Sequence, residues 1–357
     1  MLRFPIFLGF LAISLTDFTS AQHSQEVLKN FEKFQTHHKK HYRSAEERQT
    51  RLGHFAKNHQ KIKELNEEAR RAGRNVTFGV NKFADKTAAE RHGRFSKIHP
   101  KNHTDLPVYK PRHPRRHRPK RQESEIPDSF DLRNVLLNGN QIIGPVKDQE
   151  QCGCCWAFAT TAITETAQAL HSKSYRSLSD QEICDCADSG DTPGCVGGDP
   201  RNGLKFVGQN GQASDYTYPY EEFRANTTGN CVSDDRPTVI QAGTLGVYRF
   251  DQDYAEEDIM ENLYYNHIPS AAYFRVGEHF FWYTSGVLQS EDCYKMEPAE
   301  WHSVAIVGYG TDDDGVPFWT VRNSWNSDWG EDGYVRVKRG VDWCLIESHP
   351  ATAMIEN

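Results

Sequence analysis

The chain has 357 residues, 37% hydrophobic and 25% charged, with a formal net charge of −7 at pH 7. Such length and balance exclude a disordered or fibrous protein and leave ample material for a folded core. After the first 21 residues no run approaches the roughly 18 apolar residues needed to span a bilayer, so no membrane partner is expected.

Met1 to Ala21 carries Arg3, an apolar run from Phe4 to Leu15 and small residues ending Thr-Ser-Ala, the pattern of a secretory signal peptide cut near Ala21. A secretory route permits disulfides, and nine cysteines fit it. Gln22 to about Asn75 is highly charged and free of proline. Its Phe31, Phe34, Leu52, Phe55, Ile62 and Leu65 recur at helical intervals, which predicts two amphipathic helices. Within the second, Glu47, Arg51, Phe55, Asn58, Ile62 and Asn66 are spaced 4, 4, 3, 4 and 4 and share one face. Arg91 to Arg121 turns to Pro, His, Arg and Lys, a basic linker. A secreted chain has little use for a nucleic-acid tail there, and no nucleic-acid partner is expected. Asn75, Asn102 and Asn226 head N-glycosylation tripeptides.

The stretch Gln149-Glu-Gln-Cys-Gly-Cys-Cys-Trp-Ala-Phe-Ala-Thr160 introduces an Ala-rich, Gly- and Pro-free segment, Trp156 to Leu170, that reads as a buried helix. Cys155 falls in its first turn, where the positive end of the helix dipole favours thiolate. Leu178 to Ile183 reads as a short capped helix, Gly194 to Pro200 as a glycine-rich turn, and the chain beyond Thr238 as β-rich. There His302 opens an apolar, β-branched strand, and Asn323 and Trp325 follow the strand Phe318 to Val321. A thiolate needs a proton donor for the leaving group, which a histidine held by an amide supplies.

These motifs resemble the papain-family cysteine proteases, whose hallmark runs through Gln, then Cys-Gly-Ser-Cys-Trp, later His, later Asn-Ser-Trp. The Glu47 to Asn66 stripe is similar to the Glu-Arg-Phe-Asn-Ile-Asn signature of cathepsin L-like propeptides, and Gly79 to Asp85 to their Gly-x-Asn-x-Phe-x-Asp element. The resemblance implies an α+β, two-lobed papain-like fold behind a helical prodomain: signal peptide 1–21, inhibitory propeptide 22–121, peptidase 122–357. Arg118-Pro119-Lys120-Arg121 resembles a furin-type convertase site, with Ile126 to Arg133 similar to a mature N-terminus and Tyr216 to Tyr220 to the family's Tyr-Pro-Tyr loop. It assigns Cys155 as nucleophile, His302 as acid and base, Asn323 as its orienter, and Gln149 with the Cys155 N–H as oxyanion hole. It pairs Cys152 with Cys195, Cys186 with Cys231 and Cys293 with Cys344. Cys154 and Cys184 are left as a fourth bridge or two buried thiols; zinc among the crowded cysteines is disfavoured because no His lies at ligand spacing.

By the same resemblance Gly197 and Gly198 bond an extended substrate and Trp325 shields the His302–Asn323 pair. Asp199, Pro200, Ala272, Glu300, Ser303 and His349 line the pocket for the residue two before the cleaved bond. Asp199, Glu300 and His349 either make that pocket polar or point to solvent. Cys154, Trp301, Asn326 and Leu345 depart from the family's usual Ser, small polar residue, Gly and Gly. No cofactor or metal is expected, and the chain is expected to act as a monomer. Expected partners are peptide substrates, the propeptide itself, cystatin-like inhibitors and a furin-like convertase, in the lysosomal, endosomal or extracellular space. Eleven of the sixteen histidines precede Gln122; either acidification charges the prodomain and loosens it, or these are solvated surface histidines with no such role. The competing reading is a papain-like binding or inhibitory protein with a damaged site.

Overall fold

The computed structural model describes residues 15–100, 103–111, 126–187, 194–221, 229–232 and 236–356. The bulk of the signal segment, Arg121, Asn102 and Asn226 lie outside them; Asn75 is exposed just before a strand. The chain forms two compact units, Met1–Lys61 with Val80–Lys86, and Ile62–Gly79 with Thr87–Asn357.

In the first unit, helix α1 (Leu15–His37) and the part of helix α2 (Ala45–Arg71) up to Lys61 bring Phe31, Phe34 and Phe55 together, with Phe55 at 5.3 Å from Phe31 and 5.2 Å from Phe34. The α2 stripe meets the segment Val80–Lys86. Arg51 donates to the Asp85 carbonyl at 3.2 Å, and the Asn58 amide donates to the carbonyls of Ala84 and Lys86 at 2.9 Å each. A helix face and a tight turn thus interlock through the turn's buried backbone oxygens, which need such partners.

The second unit holds the short helix α3 (Ala88–His92) and is built on helix α4 (Cys155–Ser172), which starts one residue before the predicted segment and is buried along fifteen positions. Its alanines let neighbours approach closely. Helix α5 (Asp180–Cys186) is capped by Ser179, whose Oγ accepts from the Glu182 N–H, and helix α6 (Pro200–Asn210) is capped by Asp199. Trp156 is wholly buried and donates to the Gly194 carbonyl at 3.3 Å. Removing an indole of that size from water contributes about 4–6 kcal/mol.

Against α4 lies a nine-stranded sheet. Its strands are β1 (Val76–Phe78), β2 (Leu245–Arg249), β3 (Ser270–Arg275), β4 (Tyr283–Leu288), β5 (Trp301–Thr311), β6 (Pro317–Arg322), β7 (Tyr334–Lys338) and β8 (Ala351–Ile355), with Phe130–Asp131 pairing onto β5. The order is β1-β4-β7-β6-β5-β3-β8-β2. The apolar run that predicts β5 is buried at every position from Trp301 to Gly310. Edge strand β1 comes from the segment expected to be the propeptide. It pairs antiparallel with β4, Val76 opposite Gly286, while Asn66 of α2 bonds both backbone groups of Phe78. Disulfides join Cys152–Cys195, Cys186–Cys231 and Cys293–Cys344, the pairs implied by resemblance; Cys154, Cys155 and Cys184 are free and buried.

Candidate active site

The loop entering α4 is tied to the residue after Asn323. The Gln149 N–H donates to the Ser324 carbonyl at 2.9 Å, and the Ser324 hydroxyl donates to Gln149 Oε1 at 2.6 Å. With its oxygen engaged, the Gln149 amide must point Nε2 outward as a donor. That nitrogen donates to the carbonyls of Arg94 and Cys152, both at 2.8 Å. Across the site, β5 and β6 place His302 and Asn323 together, His302 Nε2 at 2.7 Å from Asn323 Oδ1. The same Oδ1 accepts from the Ser324 N–H at 2.8 Å, so it is the amide oxygen, and Nε2 carries the proton. Nδ1 is left as the basic nitrogen, buried and without a hydrogen-bond partner. Phe95, Phe274, Phe280 and Trp325 surround the imidazole with ring centroids 5.2–5.9 Å away. Cys155 Sγ accepts from the N–H of Ser303 at 3.4 Å, which sets the thiol beside the residue following His302.

Residues 94–98 occupy this site. The Arg94 carbonyl takes the Gln149 amide. Ser96 forms an antiparallel bridge with Trp301, bonded both ways at 2.8 and 3.2 Å, and the Lys97 N–H donates to the Val196 carbonyl at 3.2 Å. Gly197 has φ of +135°, and a Cβ there would stand 2.2 Å from Ser96 Oγ, so only glycine admits the segment so closely. Arg91 anchors it upstream, paired with Glu278 at 3.0 Å and stacked over Phe281 and Trp282. The linker expected from Arg91 onward is therefore held through Ile98 by specific contacts.

Cys155 and His302 are both fully buried under the segment. Burial pushes the Cys155 thiol up to about 12, and burial lowers His302 to about 4 despite its bond to Asn323. The thiolate expected from the helix start is therefore absent in this state: desolvation outweighs the dipole. His92 Nδ1 lies 2.6 Å from Glu300 and His103 Nε2 lies 3.2 Å from Asp199.

The residues expected to line the specificity pocket fall in different settings. Ala272 is fully buried and paired with Val304, so β-strand alternation turns it to the opposite face from Tyr273. Tyr273, paired with Ser303, is the residue that reaches the segment; its hydroxyl donates to the Ile98 carbonyl and stands 2.7 Å from Ser96 Oγ. Asp199 is not a free pocket wall. Burial would raise its carboxyl, but hydrogen bonds from His103 and Arg201 and the Arg201 charge prevail and hold it well below the usual range. Pro200 is buried at the first position of α6, and Gly198 lies flat on Trp156, where a Cβ would meet the ring at 2.4 Å. His349, half-buried and lowered by that burial, shares a cavity of about 250 Å³ with His103 and Arg201. Ser303 lines an internal cavity of about 20 Å³ beside Lys147, Glu165 and Asp180.

Sequence reasoning missed Tyr273, which the parity of the Ser270–Arg275 strand could have indicated, and Ser324, whose hydroxyl role no pattern signals. Arg94, Phe95 and Ser96 fell in a stretch without periodicity.

Residues 126–354 match the papain family cysteine protease domain, and residues 31–90 match the cathepsin propeptide inhibitor domain. Pro-cathepsin H from Mus musculus is 33% identical over 318 residues, covering 88% of this chain and 87% of its own. Fruit bromelain from Ananas comosus is 30% identical, covering 88% of this chain and 82% of its own. Among solved structures, the digestive procathepsin L2 proteinase of the Tenebrio molitor larval midgut matches with a TM-score of 0.75 at 28% identity, covering 92% of this chain and 100% of its own. The chain thus belongs to the papain family of cysteine proteases, a cysteine endopeptidase carrying its own inhibitory propeptide.

Proposed function

We propose that Cys155, His302, Asn323 and Gln149 carry peptide hydrolysis once the propeptide leaves. The observation that carries this reading is the pairing of a fixed His302–Asn323 contact with a Gln149 amide already bonded to a backbone carbonyl, that of Arg94. With residues 94–98 gone, water and substrate replace the dry cover, and the Cys155 proton passes to His302 Nδ1. The thiolate attacks the substrate carbonyl carbon. The resulting oxyanion is held by Gln149 Nε2–H and the Cys155 N–H at the start of α4. His302 gives its Nδ1 proton to the departing amine, leaving a thioester. It then takes a proton from water, which attacks the thioester carbonyl and expels the thiolate. Asn323 keeps Nε2–H engaged so that Nδ1 faces the chemistry throughout.

The finer reading has the chain enter the secretory pathway through residues 1–21, lose residues 22–121 by cleavage after Arg121, and act in a lysosomal, endosomal or extracellular compartment as the chain from Gln122. Cystatin-like inhibitors and a furin-like convertase are its proposed partners, and Asn75 its described glycosylation acceptor. Tyr273, Glu300 and His349 favour a polar specificity pocket. Labelling of the processed chain by a thiol alkylating reagent at Cys155, with parallel loss of peptidase activity, tests the assignment; alkylation that leaves turnover intact would sink it.

A further inference from the structure

We propose that Cys154 and Cys184 are an oxidative modification site that closes a fourth disulfide, leaving Cys155 as the single thiol of the oxidised chain. The chain has nine cysteines, six of them in three bridges. The Sγ atoms of Cys152, Cys154 and Cys184 all lie within 4.8 Å of one another, with Cys184 Sγ 3.9 Å from Cys152 Sγ. Cys152 already holds Cys195, so the remaining pairing open to Cys184 within this cluster is Cys154. A tetrahedral zinc site is not available, since two thiols remain where four ligands are needed.

The setting of each residue suits a staple. Cys154 stands at the N-cap of α4 but makes no capping bond; its sulfur turns inward, 3.4 Å from the Tyr220 hydroxyl, which donates to the Gln149 carbonyl at 2.9 Å. Cys184 sits on α5, already fixed by the Cys186–Cys231 bridge two residues on. A bond between them would tie the residue preceding Cys155 to a second anchored helix. In the folded chain both thiols are buried, and the hydrogen bond with Cys154, then burial, push the Cys184 thiol well above its ordinary value. Exchange needs thiolate and access, so the bridge forms while the chain folds. Cys184 thiolate attacks a low-molecular-weight disulfide such as oxidised glutathione, forming a mixed disulfide and releasing one small thiol. Cys154 thiolate then displaces the second. The Cys154–Cys184 bond is made, the small disulfide is reduced to two thiols, and these carry away the two protons.

The test uses the full-length zymogen secreted from a eukaryotic host, denatured without reductant in the presence of a maleimide and read by intact mass and peptide mapping. The expected result is one labelled cysteine and a cross-linked peptide containing Cys154 and Cys184. Three labelled cysteines, or Cys184 joined to Cys152 or Cys195, overturns the proposal. Cys184→Ala is expected to show two labelled cysteines, and Cys155→Ala none; a Cys155→Ala count of two overturns it even if the first variant fails to fold. The count is independent of the catalytic assignment, so either can fail alone.

Discussion

Replacing Phe95 by Ala should turn the zymogen from a closed molecule into a leaky one. Phe95 is 2% exposed, and its ring lies 5.0 Å from Phe281, 5.5 Å from His302 and 5.9 Å from Trp325. Truncating a buried Phe to Ala costs about 3–5 kcal/mol. The backbone bonds of Arg94 and Ser96 survive the change, and water can enter the cleft, so the low end applies, about 3 kcal/mol. At roughly 1.4 kcal/mol per tenfold, the open fraction of residues 94–98 rises about 10²-fold. Alkylation of Cys155 proceeds through that open state, and its rate should rise by the same factor. The assay is iodoacetamide labelling at pH 7, followed by mass spectrometry on molecules whose intact mass shows an uncleaved propeptide. A Phe95→Ala rate within a few-fold of wild type would refute the reasoning, because the ring would then not be what holds the segment down.

Other consequences follow from the same geometry. His302 is buried neutral with its value lowered to about 4, so it contributes closure that is present above its ordinary value near 6.5 and lost as pH falls toward 4. Hydrogen exchange of residues 94–98, corrected for intrinsic rates, should therefore quicken over that window, and His302→Gln should remove the acceleration; an unchanged profile in the variant would locate the acid sensor elsewhere. Gln149→Ala should lower kcat of the processed enzyme about 10²–10³-fold with little change in KM, in steady-state peptide hydrolysis. Asp199→Asn leaves Arg201 buried beside a neutral partner and should destabilise the zymogen by about 3–5 kcal/mol in denaturant unfolding. Because the Asp199 carboxyl is held well below its ordinary range, that stabilisation is present above its unfolded value and lost only as pH falls through its lower folded one. The loss should therefore be similar at pH 5 and pH 7.

How far the sequence reached depends on the kind of signal each element carries. Helix α4 and strand β5 were legible because long apolar periodicity outlasts local detail, and Glu47 to Asn66 because a single helical face forces its spacing. Cys155, His302, Asn323 and Gln149 could be named from their motifs. Their protonation state could not, since it depends on a cover that reaches them from residues 94–98. Ala272 and Tyr273 stand one residue apart, and in a strand that step exchanges one face for the other, so naming the strand does not by itself say which side chain reaches Ser96 and Ile98. Asp199 read as a pocket carboxylate because nothing in the local sequence says that Arg201, two residues on, turns back to neutralise it.

The most direct test is hydrolysis of a peptide library by the chain from Gln122, at pH 5 and 7, beside a Cys155→Ala control processed in the same way. The account predicts endopeptidase turnover by the wild type and its loss in the control, with cleavage preferences reporting on Tyr273, Glu300 and His349. Equal silence from both chains after verified removal of the propeptide, or equal activity in both, would contradict it.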